Sequence, residues 1–221
     1  MGAGSDRLVS GYTLSYGSGI HMTWVLGLTG GIGSGKTAAS DYLAGKGIRV
    51  VDADVVAREV VQPGEPAWQA LREHFGDQVL CADQTLNRAW LREKVFAEPD
   101  ERRWLESQTH PRIRESIIRQ LQAARSPYAV LVSPLLFESG QHRLTQRTLL
   151  IDVPSELQLS RACQRDQADE IQIRRIIAAQ MPAAEKRRLA DDIADNSHTL
   201  QHLYAQLDTL HDQYLQTAAN G

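Results

Sequence analysis

The sequence predicts an α/β fold in which helices flank a five-stranded parallel sheet. Three observations support this: five short apolar runs, longer segments of helical periodicity between them, and a glycine-rich segment directly after the first run. Strands that alternate with helices form parallel βαβ units, which bind ligands at the carboxyl ends of the strands. The predicted strands are residues 24–29, 48–54, 128–133, 148–153 and 191–196.

Length and composition are those of an ordinary globular protein. The chain has 221 residues, of which 42% are hydrophobic and 23% are charged, so it suffices for one elaborated α/β domain or two small ones. The net charge of −3 provides no overall basic field for nucleic acid or an anionic membrane, although it does not exclude a local basic patch. We therefore expect neither as a partner.

Targeting and redox signals point to the cytoplasm. Cys81 and Cys163 match no metal-binding spacing, which is typical of reduced thiols in a cytosolic protein. No run reaches the about 18 apolar residues of a membrane span. Residues 1–21 lack the apolar core of a signal peptide, and we predict that they are a linker or a disordered extension. A single domain is then expected over 22–221.

The segments between the strands differ in length and charge. A helix over 38–47 is stopped by glycine, and a helical stretch over about 63–125 is long enough to form a subdomain beside the sheet. Within that stretch, Asn87 is a predicted helix cap, and a further helix is expected from His110. A second helical tract, about 155–190, opens with the capping-box pattern SELQ and is rich in arginine. The tail after Thr199 has the leucine spacing of a packing helix.

The glycine-rich segment fits the phosphate-binding loop (P-loop) pattern G-x-x-x-x-G-K-[ST] at each fixed position. It follows a predicted strand and opens a helix, where backbone N–H groups point inward and form an anion site. Lys36 is expected to reach the β- and γ-phosphates, and the Thr37 hydroxyl to ligate Mg²⁺. The predicted ATP-binding residues of the loop are Gly30, Gly31, Ile32, Gly33, Ser34, Gly35, Lys36 and Thr37.

Three classes of P-loop protein remain after this step: a small-molecule kinase, a GTPase switch and an ATPase that acts on a macromolecule. A GTPase normally carries an N-K-x-D motif, and the sequence has no Asn-Lys pair. A nucleic-acid motor is usually larger and more basic. The long helical stretch, the arginine-rich tract and a nearby acid favour a kinase with an acceptor subdomain and a lid.

The acid is in VVDADVVAR (50–58), at the end of the second strand, which we expect to lie beside the P-loop strand. Asp54 is predicted to be the catalytic base that accepts the proton of the attacking hydroxyl. Asp52 is predicted either to hold the metal or its waters, or to cap the next helix.

Arginines of the lid are expected to close over the transferring phosphate. Arg165 is the predicted catalytic arginine, with Arg161 as the alternative. Arg174, Arg187 and Arg188 are interpreted as a solvated charged face.

The order of the motifs resembles the dephospho-CoA kinase family over residues 24–200. The matching segments are LTGGIGSGKT, VVDADVVAREVVQPGEPAW, LESQTHPRIR, SPLLFESG, IDVPSELQLSRACQRD and the DNS near residue 196. The resemblance implies a P-loop kinase fold with a CoA-side helical subdomain and a lid. It also implies phosphorylation of the ribose 3′-hydroxyl of dephospho-CoA by ATP with Mg²⁺, which gives coenzyme A and ADP.

By position, the resemblance assigns further residues. It places Asn196 near the adenine and assigns Thr29, Asp54, Arg58, His110 and Glu138 to the substrate. His110 and Pro111 match the family's HP element, although a helix-start role explains them equally well.

The chain departs from the family pattern at two places. Ser133 stands where many members carry an acid, so no carboxylate is available there as a magnesium ligand. The usual D-N-x-G near the adenine reads Asp195-Asn196-Ser197-His198, which affects base recognition.

Overall fold

The structure, a computed structural model, describes residues 23–220. Its five strands form one parallel sheet in the order β2-β3-β1-β4-β5, as the sequence predicted. The strands are β1 (Trp24–Thr29), β2 (Arg49–Asp52), β3 (Tyr128–Val132), β4 (Arg147–Asp152) and β5 (Asp192–Asp195). The segment 1–21, predicted to be a linker, lies outside the described residues.

The P-loop strand β1 is the central strand and pairs with β3 and β4. The expectation that β2 lies beside β1 is wrong, because β3 is inserted between them. In the sheet, β2 is separated from β1 by one strand position, and β3, which comes later in the sequence, occupies that position. Nothing local in the sequence encodes that skipped position.

Nine α-helices connect or flank the strands within residues 23–220. They are α1 (Lys36–Gly45), α2 (Ala53–Glu59), α3 (Pro66–Phe75), α4 (Arg88–Ala97), α5 (Pro99–Gln122), α6 (Ser155–Asp166), α7 (Glu170–Ala179), α8 (Ala183–Leu189) and α9 (Leu200–Asn220). None of these described helices is both long and apolar enough to cross a bilayer.

Two apolar cores lie on opposite faces of the sheet, because successive strand residues point to opposite sides. Leu131 belongs to the core that includes Leu71 of α3 and Ile117 of α5. Its neighbour Val130 belongs to the core formed with Leu43 of α1 and Leu207 of α9. The helical stretch between β2 and β3 therefore packs on one face, and the C-terminal helix packs on the other.

Three local predictions about helix ends have different outcomes. Asn87 does cap α4, because its side chain accepts a hydrogen bond from Trp90 N at 3.0 Å. The helix-start explanation for His110 is wrong: α5 begins at Pro99, a favourable first-turn position for proline, and continues through Pro111. The SELQ capping box does not form either, since Ser155 is already helical and Pro154 is the cap residue.

Candidate active site

The P-loop joins β1 to α1 in a conformation that only glycine tolerates at two positions. Gly33 and Gly35 have φ values of +69° and +94°, in the left-handed region. A Cβ on Gly35 would also lie 2.2 Å from the amide nitrogen of Asn196, and one on Gly33 would lie 2.5 Å from the carbonyl oxygen of Gln158. The loop is therefore packed tightly against β5 and the lid.

Lys36 is the main positive charge of the loop. Its Nζ donates hydrogen bonds to the carbonyl oxygens of Gly30 and Gly31, both at 2.9 Å. Burial lowers its pKa to about 8, with further lowering from the charges of Lys186 and Arg165. The side chain is thus a desolvated cation, held at the place where phosphate oxygens are expected.

A cavity of about 580 Å³ lies over the loop and brings together loop residues, the acid pair and the lid arginine, all predicted from the sequence. Residues of the lid and the carboxyl end of β3 complete its lining. The predicted residues that line it are Ile32, Gly33, Gly35, Lys36, Thr37, Asp52, Asp54 and Arg165, together with the alternative lid arginine Arg161. The P-loop, the acid pair and the lid arginine therefore share one space, even though β2 is not adjacent to β1.

The acid pair at the start of α2 has two distinct roles in the structure. Asp52 is the N-cap of this helix, and its Oδ1 accepts hydrogen bonds from the backbone N–H groups of Asp54 and Val55 at 2.8 and 3.2 Å. The capping interpretation of Asp52 is therefore confirmed. The Asp54 carboxylate makes no hydrogen bond to the part of the chain that the structure describes.

Two effects raise the pKa of Asp54. Burial is the larger one, and the negative charge of Asp52 adds to it, while Lys36 and Arg58 act in the opposite direction. A carboxylate with a raised pKa takes up a proton more readily, which suits a general base that works next to an acceptor hydroxyl.

The lid consists of α6, α7 and α8. Arg165 is 62% exposed at the end of α6 and makes a two-point ion pair with Asp166, with N–O distances of 2.7 and 2.8 Å. Arg161 also lines the cavity, but it donates to the carbonyl oxygen of Asn196 at 2.9 Å. Arg165 is therefore the more exposed of the two, and Arg161 is tied to the end of β5.

The solvated-face interpretation of the other lid arginines holds only in part. Arg174 is 64% exposed and pairs with Glu170 along its own helix. For Arg187 the interpretation is incomplete, because its Nε donates to Asp152 Oδ2 at 2.7 Å and so ties α8 to the end of β4.

Three lid residues that sequence reasoning missed contact the P-loop or its surroundings. The side-chain oxygen of Gln180 accepts a hydrogen bond from Ile32 N at 3.2 Å, and Gln158 packs against Gly31. Lys186 is only 2% exposed, and its Nζ lies 3.2 Å from both the Pro134 carbonyl oxygen and Glu138 Oε1. In the sequence these residues look like ordinary polar positions of a helical tract, so no local signal distinguishes them.

Several predicted substrate or nucleotide residues lie outside the cavity lining. Glu138 is engaged with Lys186 and with Met181 N, and Asn196 is buried with its side chain on Ser34 O at 2.8 Å. Arg58 and His110 are exposed on α2 and α5. The roles assigned to these four residues stay predictions.

Two further residues sit at strand ends beneath the site. Thr29 is fully buried at the end of β1, and its hydroxyl has no hydrogen-bond partner among residues 23–220. Its predicted role in substrate binding also stays a prediction. Ser133 follows β3, between the P-loop strand and Asp52, and donates its N–H to Leu28 O at 3.0 Å. The β3 end thus supplies a hydroxyl where a carboxylate was expected from the family pattern.

Comparison with known proteins agrees with this geometry. A family model described as dephospho-CoA kinase matches residues 24–202. A dephospho-CoA kinase of Acinetobacter baylyi is 59% identical over 192 residues, covering 87% of this chain and 98% of the relative. One of Pseudoalteromonas translucida is 50% identical over 195 residues, covering 88% and 93%.

Solved structures give the same result. A dephospho-CoA kinase of Campylobacter jejuni superposes with a TM-score of 0.66 at 25% identity, covering 87% of this chain and 98% of that one. A protein of Thermus thermophilus reaches a TM-score of 0.77 at 29% identity, covering 86% and 97%. By sequence and by fold, the chain belongs to the dephospho-CoA kinase family.

Proposed function

We propose that this chain transfers the γ-phosphoryl group of ATP to the ribose 3′-hydroxyl of dephospho-CoA, which yields coenzyme A and ADP. One observation supports the transfer chemistry most directly: the P-loop lysine, the acid Asp54 and the lid arginine Arg165 line a single cavity. Family membership supports the identity of the acceptor, since the geometry by itself indicates a small-molecule kinase.

Each of the three residues has a role that its position allows. Lys36 and the backbone N–H groups of the loop hold the β- and γ-phosphates. Arg165 stabilises the charge that develops on the phosphoryl group in transit. Asp54 accepts the proton of the 3′-hydroxyl. As it does so, the 3′-oxygen of the acceptor bonds to the γ-phosphorus, and the bond from that phosphorus to the β–γ bridging oxygen breaks.

The residues in the cavity also fit the magnesium ion that ATP-dependent kinases use. Mg²⁺ prefers oxygen ligands and usually takes only one or two from protein side chains. The exposed Thr37 hydroxyl and the second carboxylate oxygen of Asp52 supply that donor set on the cavity wall. Bound there, the ion would neutralise charge on the phosphates. The cytoplasmic location and the absence of nucleic-acid or membrane partners stay predictions from the sequence.

A coupled ADP-release assay tests the proposal against other small acceptors. The panel contains dephospho-CoA, adenosine, AMP and shikimate, each with Mg²⁺ and ATP. We expect rapid ADP formation with dephospho-CoA alone. Lys36→Ala is the control for background hydrolysis, and losing this charge should reduce turnover by about 10²–10³-fold.

Two results would overturn the proposal. Preferential turnover of AMP or shikimate would identify a kinase with another acceptor. ADP release that is independent of every acceptor would identify an ATPase instead.

A further inference from the structure

A cluster of potential metal ligands lies outside the cavity, where β5 passes into α9. Asp195, His198 and His202 each offer one ligand atom, and these three atoms lie within 4.8 Å of one another. His198 Nε2 lies 3.7 Å from Asp195 Oδ2. The two imidazole rings have centroids 5.1 Å apart and are nearly perpendicular.

The carboxylate of this cluster is held in place by neighbouring groups. Asp195 Oδ1 accepts a hydrogen bond from Ser197 N at 2.9 Å, and Oδ2 accepts one from the Ser197 hydroxyl at 2.8 Å. Such supporting hydrogen bonds orient a ligand before the ion arrives, and losing one typically costs about 10–100-fold in metal affinity.

The backbone beneath the ligands is tied to the helix that carries His202. The Gln206 side chain pairs with both backbone groups of Asp195: it accepts from the N–H at 2.9 Å and donates to the carbonyl oxygen at 2.8 Å. These hydrogen bonds hold the end of β5 against the first two turns of α9. Asp195 and His202 therefore lie on elements that are held together, and His198 lies on the loop between them.

We propose that Asp195, His198 and His202 form a binding site for a zinc-class divalent cation, separate from the magnesium position. Two imidazoles and one carboxylate are a zinc donor set, with solvent completing the tetrahedron. Magnesium and calcium prefer sites made of oxygen ligands alone. The ligand atoms of tetrahedral zinc lie about 3.3 Å apart, and the exposed histidines close the remaining gap by side-chain rotation.

One ligand distinguishes this chain from the family pattern it otherwise follows. His198 occupies the position of the glycine in the usual D-N-x-G, so a protein with that pattern lacks one of the three ligands. Asn196, between the ligands, donates its side-chain N–H to Ser34 O of the P-loop. Zinc at this site would therefore restrain the segment that braces the phosphate loop.

Calorimetric titration of the full chain with Zn²⁺, in the absence of nucleotide, tests the proposal. We expect one zinc per chain, and a dissociation constant at least about tenfold weaker in each of His198→Gly, His202→Ala and Asp195→Asn. Ser197→Ala keeps all three ligands and should weaken binding by about 10-fold. Co²⁺ in place of Zn²⁺ should give the visible absorption of a tetrahedral site in wild type and lose it in His202→Ala.

His74→Ala is the matched control, because His74 lies in α3, stacks on Trp104 and pairs with Glu101. It should bind zinc like wild type. Circular dichroism of each metal-free variant checks that the fold is intact. Absence of saturable zinc binding in wild type, or undiminished binding in the three ligand variants, would overturn the proposal.

Discussion

Burial in the fold changes the acid–base chemistry of Lys36, the lysine of the P-loop. Burial and the nearby cations Lys186 and Arg165 lower its pKa from 10.5 to about 8 in the nucleotide-free protein. Phosphate oxygens would restore the ammonium form, because a nearby negative charge favours it. Above about pH 8, ATP binding must therefore take up a proton, whereas well below that pH Lys36 is already charged.

We predict that ATP affinity is level up to about pH 7.5 and falls above about pH 8, by at most about tenfold per pH unit. Titration calorimetry in two buffers of different ionisation enthalpy measures the proton uptake, which should rise from near zero at about pH 7 toward one at about pH 9. Lys36→Arg is the control, since a guanidinium stays charged throughout. Equal uptake in wild type and variant would assign the proton to another group.

At the level of elements, the start of α2 separates two neighbouring carboxylates into different tasks. Asp52 closes the helix end, and Asp54, two residues later, faces the cavity with a raised pKa. Because α2 is anchored through Asp52, the position of Asp54 depends on the cap. Substitution of the pair can therefore distinguish chemistry from helix stability.

We predict that Asp54→Asn lowers kcat by about 10²–10⁴-fold and leaves the ATP dissociation constant nearly unchanged, because it removes only the proton acceptor.

Asp52→Asn should preserve the fold, since asparagine caps helices as well as aspartate does, whereas Asp52→Ala should cost about 1 kcal/mol of unfolding free energy. Steady-state kinetics and urea denaturation measure these effects. If Asp54→Asn and Asp52→Asn lower kcat equally and mildly, Asp54 is not the base.

The lid is a second element whose position depends on a few side chains. Gln180 reaches the loop at Ile32 N, Lys186 inserts between Pro134 O and Glu138, and Arg187 holds Asp152. These contacts join α7 and α8 to the loop and to the carboxyl ends of the strands. Of the two arginines that line the cavity, Arg165 pairs only with its neighbour Asp166, whereas Arg161 donates to Asn196 O, so Arg165 is the freer to turn toward a phosphate.

At the level of the whole molecule, local patterns predicted the sheet but not its strand order. Each predicted strand overlaps an observed one, because short apolar runs between helices specify buried parallel strands. The position of β3 between β1 and β2 depends on contacts between residues about a hundred positions apart. The periodicity of apolar residues along the sequence does not reveal such contacts.

The candidate site divides in the same way. The P-loop and Asp54 could be predicted from the sequence because their chemistry requires particular residue types at particular positions along the chain. Lys186 and Gln180 were not, because their importance comes from burial and from contacts with distant residues. For Asn196 the family pattern suggested adenine, whereas the structure shows a contact with the loop itself.

Asn196 joins the last strand to the first loop, 162 residues earlier in the chain. Its buried amide donates to Ser34 O, and Arg161 of the lid donates to its carbonyl oxygen. Asn196→Ala would leave the Ser34 acceptor unpaired in the interior. We therefore predict a loss of about 1–3 kcal/mol of unfolding free energy, measured by urea denaturation.

The same substitution distinguishes support of the loop from contact with the base, if ATP is compared with inorganic triphosphate, which has no adenine. A distorted loop should weaken both ligands by a similar factor, because the phosphates are what the loop holds. Ile193→Ala, on the strand that Asn196 directly follows and 46% exposed, is the control and should change stability by less than about 0.5 kcal/mol. If Asn196→Ala weakens ATP but spares triphosphate, Asn196 acts on the adenine, and the loop keeps its shape without it.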